Sequence, residues 1–151
     1  MRIKRKHNPE LFLNSDEAKQ VESAIGESEK QTSAEIKLII LRHCWDKIEH
    51  KAASLFRKYK LDATQHRNAV LILLITANRE FLIYGDQGIH EKVGQNFWDD
   101  TRNHMADFFQ KDQFSPGLCE GIKSIGEKLA AHFPADKDNP NELSDEIIHE
   151  K

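Results

Sequence analysis

The segment 68–91, NAVLILLITANREFLIYGDQGIHE, contains two apolar runs that are joined by a short polar turn. The first predicted strand, 68–75, is continuously apolar from Ala69 onward, which is typical of a central strand covered on both faces. The second run, 80–84, follows after so short a turn that the pair predicts an antiparallel hairpin. The hairpin ends on Asp86, which stands between two glycines, so a carboxylate is predicted at an edge of the sheet.

The rest of the chain predicts helices around this hairpin and one further strand. Apolar residues at helical spacing predict helices at 15–30, 45–59, 95–110 and 115–133, and a short β-branched run predicts a strand at 35–42. We expect a fourth strand near Ile147 and Ile148 or around Ile3. The pattern favours an α/β fold, a three-layer αβα sandwich whose small mixed sheet of three to four strands is flanked by helices.

Local signals refine two of these helices. Asn14, followed by Glu17 three residues later, predicts the N-terminal cap of the first helix. Three glycines disfavour the last helix, Gly117, Gly121 and Gly126. We expect them to be kept because they allow close packing against the sheet.

A length of 151 residues indicates one domain. We predict a flexible N-terminus at 1–11, an αβα domain at 12–134 and an acidic C-terminal tail at 135–151 that can pack on the domain. No apolar run is long enough for a signal sequence or a membrane span, so we expect a soluble, cytoplasmic protein.

The charge and the cysteines narrow the function further. Lys and Arg number 22 and Asp and Glu number 25, and a net charge of −3 argues against nucleic acid or anionic membrane as a partner. The two cysteines, Cys44 and Cys119, form neither a disulfide framework nor a zinc motif, and we expect them to be reduced and partly buried.

The strand directions bring several oxygen-bearing side chains to one edge. The first two strands are predicted to be parallel because a helix connects them, and the third returns antiparallel. Asp86 therefore lies near Glu35, and the link before the second strand brings Asp62 to the same edge. Glu91 and Asp100 follow close behind. Carboxylates and backbone carbonyls are ligands of hard cations, so these five residues are the predicted metal ligands.

Two points about this site stay open at the level of sequence. Asp86 can simply cap a turn, as aspartate commonly does. Glu142 or Asp145 of the acidic tail can add ligands if the tail folds back onto this edge. We expect the glycines around Asp86 to let the backbone carbonyls turn inward.

Other catalytic motifs fail when their spacing is checked. His90-Glu91 begins like a zinc-protease motif, but Gly94 stands where the second histidine is required. The chain has no phosphate-binding Gly-Lys-Ser/Thr loop, and 136–147 lacks the glycine and the final glutamate of an EF-hand loop. No nucleophile and base form a recognisable pair, so no catalytic residue is predicted.

Several stretches together resemble the TPM domain family. They are EKQTSAEIKLII (29–40), TQHRNAVLILL (64–74), REFLIYGDQGI (79–89), FW (97–98) and GLCEGIKSIGEKLAAHFP (117–134). The resemblance is closest to the stand-alone, cytoplasmic bacterial form of the family, which also tends to end in a segment like 141–147. It covers about 12–147.

The resemblance implies an αβα sandwich around a small sheet. It also implies that members bind divalent metal, calcium especially, in loops at one sheet edge, and that some members act as acid phosphatases. The larger relatives carry signal peptides and membrane anchors, and we expect this chain to differ from them in having neither.

Three functions remain open. The first is a divalent-metal-binding protein, with calcium favoured over magnesium, whose bound cation orders the loop edge in a regulatory or scaffold role. The second is a weak metal-dependent acid phosphatase that uses the same cation. The third is a protein-partner-binding domain that uses Phe97 and Trp98, although packing in the core is the competing role for these aromatics. We expect a monomer.

Overall fold

The structure is a computed structural model, and it describes residues 8–135 and 144–150. Its α-helices are α1 Pro9–Phe12, α2 Ser15–Glu29, α3 Ile48–Lys58, α4 Gln87–Val93, α5 Asp99–Gln110 and α6 Phe114–His132. Its strands are β1 Glu35–Leu41, β2 Ala69–Ile75, β3 Glu80–Gly85 and β4 Ile148–Glu150. The strand predicted around Ile3 lies outside the described residues, as do 1–7 of the predicted N-terminal segment and 136–143 of the predicted tail.

The four strands form one mixed sheet in the order β3-β2-β1-β4. β1 is parallel to β2, with Glu35 opposite Ala69, and β3 is antiparallel to β2, with Gly85 opposite Val70. The predicted strand directions are therefore confirmed. β4 pairs with β1 in parallel, which confirms the fourth strand expected near Ile148.

Helices cover both faces of the sheet, so the predicted αβα sandwich is confirmed. All seven residues of β1 and of β2 are buried. Alternate residues of these strands pack into two apolar clusters, one against α2, α5 and α6 and the other against α3. Burial on both faces explains why 69–75 has no polar residue.

The first helix begins as predicted. The side chain of Asn14 accepts a hydrogen bond from the amide of Glu17, and the side chain of Glu17 accepts one from the amide of Asn14. This reciprocal pair satisfies two amides that have no partner within the helix.

The predicted start of the second helix is wrong. The helix begins at Ile48 rather than Trp45, because the side chain of Asp46 accepts a hydrogen bond from the Lys47 amide and Lys47 has extended backbone angles. Trp45 consequently lies in the loop after β1, where 94% of it is exposed.

The helix predicted from 95 to 110 begins later, at Asp99, and a helix that was not predicted precedes it. A short helix, α4, begins directly after Asp86, and a 3-10 turn at Gln95–Trp98 precedes α5. Gly94, which has a φ of +79°, separates α4 from the 3-10 turn. A positive φ is readily available to glycine, so α4 ends there.

The glycines of α6 allow close packing, but against helices rather than against the sheet. A Cβ on Gly117 would lie 2.8 Å from Phe108 of α5, and one on Gly121 would lie 2.3 Å from the sulfur of Met105. A Cβ on Gly126 would lie 2.6 Å from Ser28 of α2. The expectation that these glycines face the sheet was therefore wrong.

Candidate functional site

The five predicted ligands are divided among three places. Asp86 pairs with the guanidinium of Arg67, on which Asp62 and Glu91 act only through their charge. Glu35 lies at the start of β1 beside Glu29, in a separate cluster of acidic side chains. The fifth, Asp100, is exposed in the first turn of α5.

Arg67 and Asp86 form a bidentate ion pair at the end of β3. Arg67 Nε donates to Asp86 Oδ2 at 2.7 Å, and its Nη2 donates to Asp86 Oδ1 at 2.9 Å. Asp86 Oδ1 also accepts a hydrogen bond from the amide of Gln87 at 2.7 Å, so Asp86 caps α4. The alternative left open from the sequence was that Asp86 caps a turn; in the structure it caps the helix α4.

The electrostatics at this edge favour the charged pair. The hydrogen bonds and charge of Asp86 raise the pKa of Arg67, and Asp62 and Glu91 add weaker attraction in the same direction. The guanidinium is therefore the cation that pairs with Asp86 in this structure. Arg67 itself was missed at the level of sequence.

Gly88 lets two backbone segments approach each other beside this pair. Its amide donates to the carbonyl of Arg67 at 2.8 Å. A Cβ on Gly88 would lie 2.4 Å from the carbonyl oxygen of His66 and 2.6 Å from that of Arg67. Among the described glycines only Gly94 has a positive φ. Close approach, not an inward turn of the carbonyls, therefore explains the glycine.

A second cluster of acidic side chains surrounds Glu29, the last residue of α2. Glu29 Oε2 accepts a hydrogen bond from the amide of Ile36 at 2.8 Å. Its carboxyl also lies within hydrogen-bonding distance of the side chains of Asp145 and Glu35. Asp145 belongs to the C-terminal segment, so part of the acidic tail does return to the start of β1.

Glu29 is protonated at neutral pH. Burial is the largest cause that raises its pKa, the contact with Asp145 is the next, and the pKa reaches about 10. Within the described residues, Glu29 Oε1 and Asp145 Oδ1 are buried and have no hydrogen-bond partner. A proton on Glu29 lowers the repulsion in the group and provides an O–H that can donate to Asp145. Among the described residues no N–H group and no other O–H reaches these two oxygens.

Lys37 connects this group to the C-terminal segment. Only 6% of the residue is exposed, and its amino group donates to the carbonyl of Ser144 at 2.7 Å. Burial lowers the pKa of Lys37, while nearby carboxylates, including Glu146 and Asp145, oppose that change.

No ready-made metal centre is present in the part of the chain that the structure describes. Across 8–135 and 144–150, no three His, Cys, Asp or Glu side chains are already arranged to hold a metal ion. Glu29, Glu35 and Asp145 are nevertheless three carboxyl side chains that meet at Glu29, and two of their buried oxygens are reached by no donor of the described residues except the proton on Glu29. Glu29 was missed because no local pattern distinguishes it from the other acidic residues of α2.

Phe97 and Trp98 were the residues named for the third function, the binding of a protein partner. Trp98 is 8% exposed and belongs to the core, and Phe97 packs against it at a ring-centroid distance of 4.6 Å. They are packing residues, as the competing interpretation has it. The exposed aromatic is Trp45, whose ring stacks on His43 at 5.5 Å.

Two smaller observations complete the description. Cys44 and Cys119 are free thiols of intermediate exposure, as expected. Within the described residues, no helix has both the length and the apolar character that crossing a membrane requires.

Comparison with known proteins adds family and fold. The family model of the TPM domain matches residues 8–128. The BA42 protein of the psychrophilic bacterium Bizionia argentinensis, solved by NMR, is 37% identical, with a TM-score of 0.86 over 91% of this chain and 94% of that one.

A more distant structure shares the fold alone. The N-terminal domain of a P. gingivalis protein, also solved by NMR, is 13% identical, with a TM-score of 0.68 over 88% of this chain and 96% of that one. A search of curated proteins finds no significant match. Because the family model spans most of the chain, this protein belongs to the TPM domain family.

Proposed function

We propose that this TPM domain binds a divalent cation through Glu29, Glu35 and Asp145, and that the ion orders the edge of the sheet in a regulatory or scaffold role. The observation that carries the proposal is the buried contact between the Glu29 and Asp145 carboxyls, in which the proton on Glu29 is the one donor that the described residues offer to two of the oxygens. A divalent cation would take the place of that proton between the two side chains.

The chemistry of the group suits a hard cation. All three side chains are carboxylates, which are preferred ligands of calcium and magnesium. In the absence of metal, Glu29 keeps a proton because its pKa is near 10. A divalent ion would replace that proton, and the carboxyl groups would turn toward the ion. Metal binding would therefore release protons.

Calcium fits this group better than magnesium does. The three residues come from α2, from β1 and from the C-terminal segment, which are separate parts of the chain. Calcium accepts irregular arrangements of six to eight oxygens, whereas magnesium requires a nearly ideal octahedron. A group assembled from three segments meets the looser requirement more easily.

The other predicted ligands are less suited to this role. Both oxygens of Asp86 are held by Arg67, so a cation there would have to displace a guanidinium. Of the five residues predicted from the sequence, Glu35 is the one that the proposal keeps. Asp145 enters as the ligand from the tail.

Thermal unfolding of the chelated protein tests the proposal. We expect the melting temperature to rise and then saturate as calcium is added, because an ion that binds only the folded state stabilises it by mass action. Glu35→Gln should abolish that rise. Asp86→Asn is the matched control: it should lower the melting temperature without metal but keep the response to calcium.

Two results would contradict this assignment. If neither calcium nor magnesium changes the melting temperature of the chelated wild-type protein, the native state has no divalent-cation site. If Asp86→Asn removes the response and Glu35→Gln keeps it, the ion binds beside Arg67 instead.

The phosphatase alternative needs more than a bound ion. Metal-assisted hydrolysis requires an open position on the ion for water and for the phosphate ester. Glu29 Oε1 and Asp145 Oδ1 are inaccessible to solvent, which does not favour such a position. Calcium-dependent release of phosphate from an aryl phosphate, lost in Glu35→Gln, would revive this alternative.

A further inference from the structure

The outer edge of β1 carries the C-terminal segment, 144–150, which we call the C-terminal strap. Its last three residues form β4 and pair with Ile39–Leu41, while β1 itself has seven residues. The strap is joined to the rest of the domain through 136–143, which lie outside the described residues. It is thus a short extended segment docked on a longer strand.

The strap is recognised mainly through features of an extended backbone. Lys37 donates to the carbonyl of Ser144 at 2.7 Å, and Glu22 Oε2 accepts a hydrogen bond from the amide of Ile147 at 3.0 Å. The ladder with β1 adds further backbone contacts. Recognition of this kind is β-strand addition, in which main-chain hydrogen bonds hold the segment.

Side chains of the strap supply the selectivity. Ile147 is buried in the cluster against α2, α5 and α6, and Ile148 packs against the cluster on the α3 face. The two isoleucines therefore pack against apolar clusters on opposite faces of the sheet. At the far end, the carboxylate of Glu150 pairs with Lys58 at 2.5 Å and accepts a hydrogen bond from Tyr59.

The pairing between the strap and β1 is short. Three residues of β4 pair with Ile39–Leu41, whereas β1 has seven residues. A short edge segment with few ladder hydrogen bonds opens more readily than the central strands of a sheet. Local opening of this kind favours exchange with another segment.

We propose that the outer edge of β1 is a strand-docking site that also accepts the C-terminal strap of a second copy of this chain. A second copy is the favoured occupant because its strap repeats every feature that the edge recognises. These features are the carbonyl of Ser144, the side chains of Ile147 and Ile148, and the carboxylate of Glu150. Exchange of an identical element is a low-cost route to a dimer. The proposal does not depend on the cation.

A labelled synthetic peptide of residues 144–151, SDEIIHEK, tests the docking site on the full-length chain. Ile147→Asp in the protein should undock its own strap and leave the edge accessible. We expect saturable peptide binding to this variant, at least about tenfold tighter than to the wild-type chain, whose tethered strap competes at high effective concentration. A peptide carrying the same Ile→Asp change is the matched control and should not bind.

Three outcomes would overturn the proposal. They are no saturable binding to a folded Ile147→Asp chain, equal binding to variant and wild type, and equal binding of the control peptide. If Ile147→Asp does not fold, Ile148→Asp serves as the second variant, since Ile148 is only partly buried.

The oligomeric state tests the identity of the occupant. Light scattering during size-exclusion chromatography should show a wild-type dimer that increases with concentration and is absent in Ile147→Asp. Isotope-filtered NMR of a mixed-label sample should place β4 of one copy beside Ile39–Leu41 of the other. A chain that is monomeric at every concentration would exclude a second copy as the occupant.

Discussion

Glu29 and Asp145 lie far apart in the sequence, yet their carboxyl groups meet within hydrogen-bonding distance at the start of β1. Because the pKa of Glu29 rises from 4.5 to about 10 on folding, the folded chain holds a proton there that the unfolded chain loses. This contact ties the C-terminal strap, the proposed cation and the pH dependence of stability to one place in the molecule.

The first prediction concerns pH. Between about pH 4.5 and pH 10 the folded state binds more protons at Glu29 than the unfolded state, so the free energy of unfolding contributed by this group falls as the pH rises. Glu29→Gln should flatten the dependence, because an amide does not titrate. Urea unfolding of chelated wild type and variant between pH 6 and pH 9 measures the two slopes. Equal slopes would contradict a protonated Glu29.

Much of the architecture can be predicted from the sequence because it follows from local patterns. The unbroken apolar run 69–75 indicates a doubly covered strand, and its short turn into β3 sets the direction of Asp86. Asn14 and Glu17 predict a cap because the capping box depends on residues three positions apart.

The chemistry of the edge depends instead on contacts between distant segments. The pairing of Glu29 with Asp145 has no local signature, and the ion pair of Arg67 with Asp86 joins the link before β2 to the end of β3. The start of α3 was misplaced for a different reason. Trp45 was assigned to the helix, whereas one hydrogen bond from the Lys47 amide to the side chain of Asp46 organises a loop there.

The second prediction concerns the Arg67–Asp86 pair. Asp86→Ala removes the cap of α4 and leaves the guanidinium without its bidentate partner, so it should lower the free energy of unfolding by about 2 kcal/mol. Asp100→Asn, at an exposed position of α5, is the control and should change it by less than about 0.5 kcal/mol. Equal effects in urea unfolding would show that the ion pair adds nothing to stability.

The third prediction concerns Gly88. Gly88→Ala would place a Cβ 2.4 Å from the carbonyl oxygen of His66, a backbone atom that cannot move aside easily. We expect a loss of at least about 2 kcal/mol in the free energy of unfolding. Gly26→Ala is the matched control within α2: its Cβ would lie 3.2 Å from a side-chain oxygen of Asp145, and the change should stay within about 1 kcal/mol. Denaturant unfolding compares the two, and a neutral Gly88→Ala would contradict the close approach.

The fourth prediction separates the two tryptophans. Trp98 is 8% exposed and Trp45 is 94% exposed, so Trp98→Ala should cost about 3 kcal/mol and Trp45→Ala less than about 0.5 kcal/mol. In Trp98→Phe, the remaining fluorescence should be red-shifted and strongly quenched by iodide. In Trp45→Phe, the emission should be blue-shifted and protected from iodide. The reverse pattern would place Trp45 in the core.

The fifth prediction concerns Lys37, whose amino group donates a hydrogen bond to the Ser144 carbonyl of the strap. Lys37→Met keeps most of the buried side-chain volume but removes the donor to Ser144. Amide hydrogen exchange of Ile148–Glu150 should then accelerate by about tenfold, because the strap opens more often than the rest of the sheet. Amides of β2 should exchange at a rate nearer to that of the wild type.

The same substitution at an exposed lysine is the control. Lys30→Met removes only a surface ion pair with Glu27, so the exchange of the strap should stay as in the wild-type protein. If Lys37→Met leaves the exchange of the strap unchanged, the hydrogen bond to Ser144 does not hold it. If strap and β2 accelerate together, the strap opens only when the whole domain unfolds, and an independent docking equilibrium at the edge of β1 is excluded.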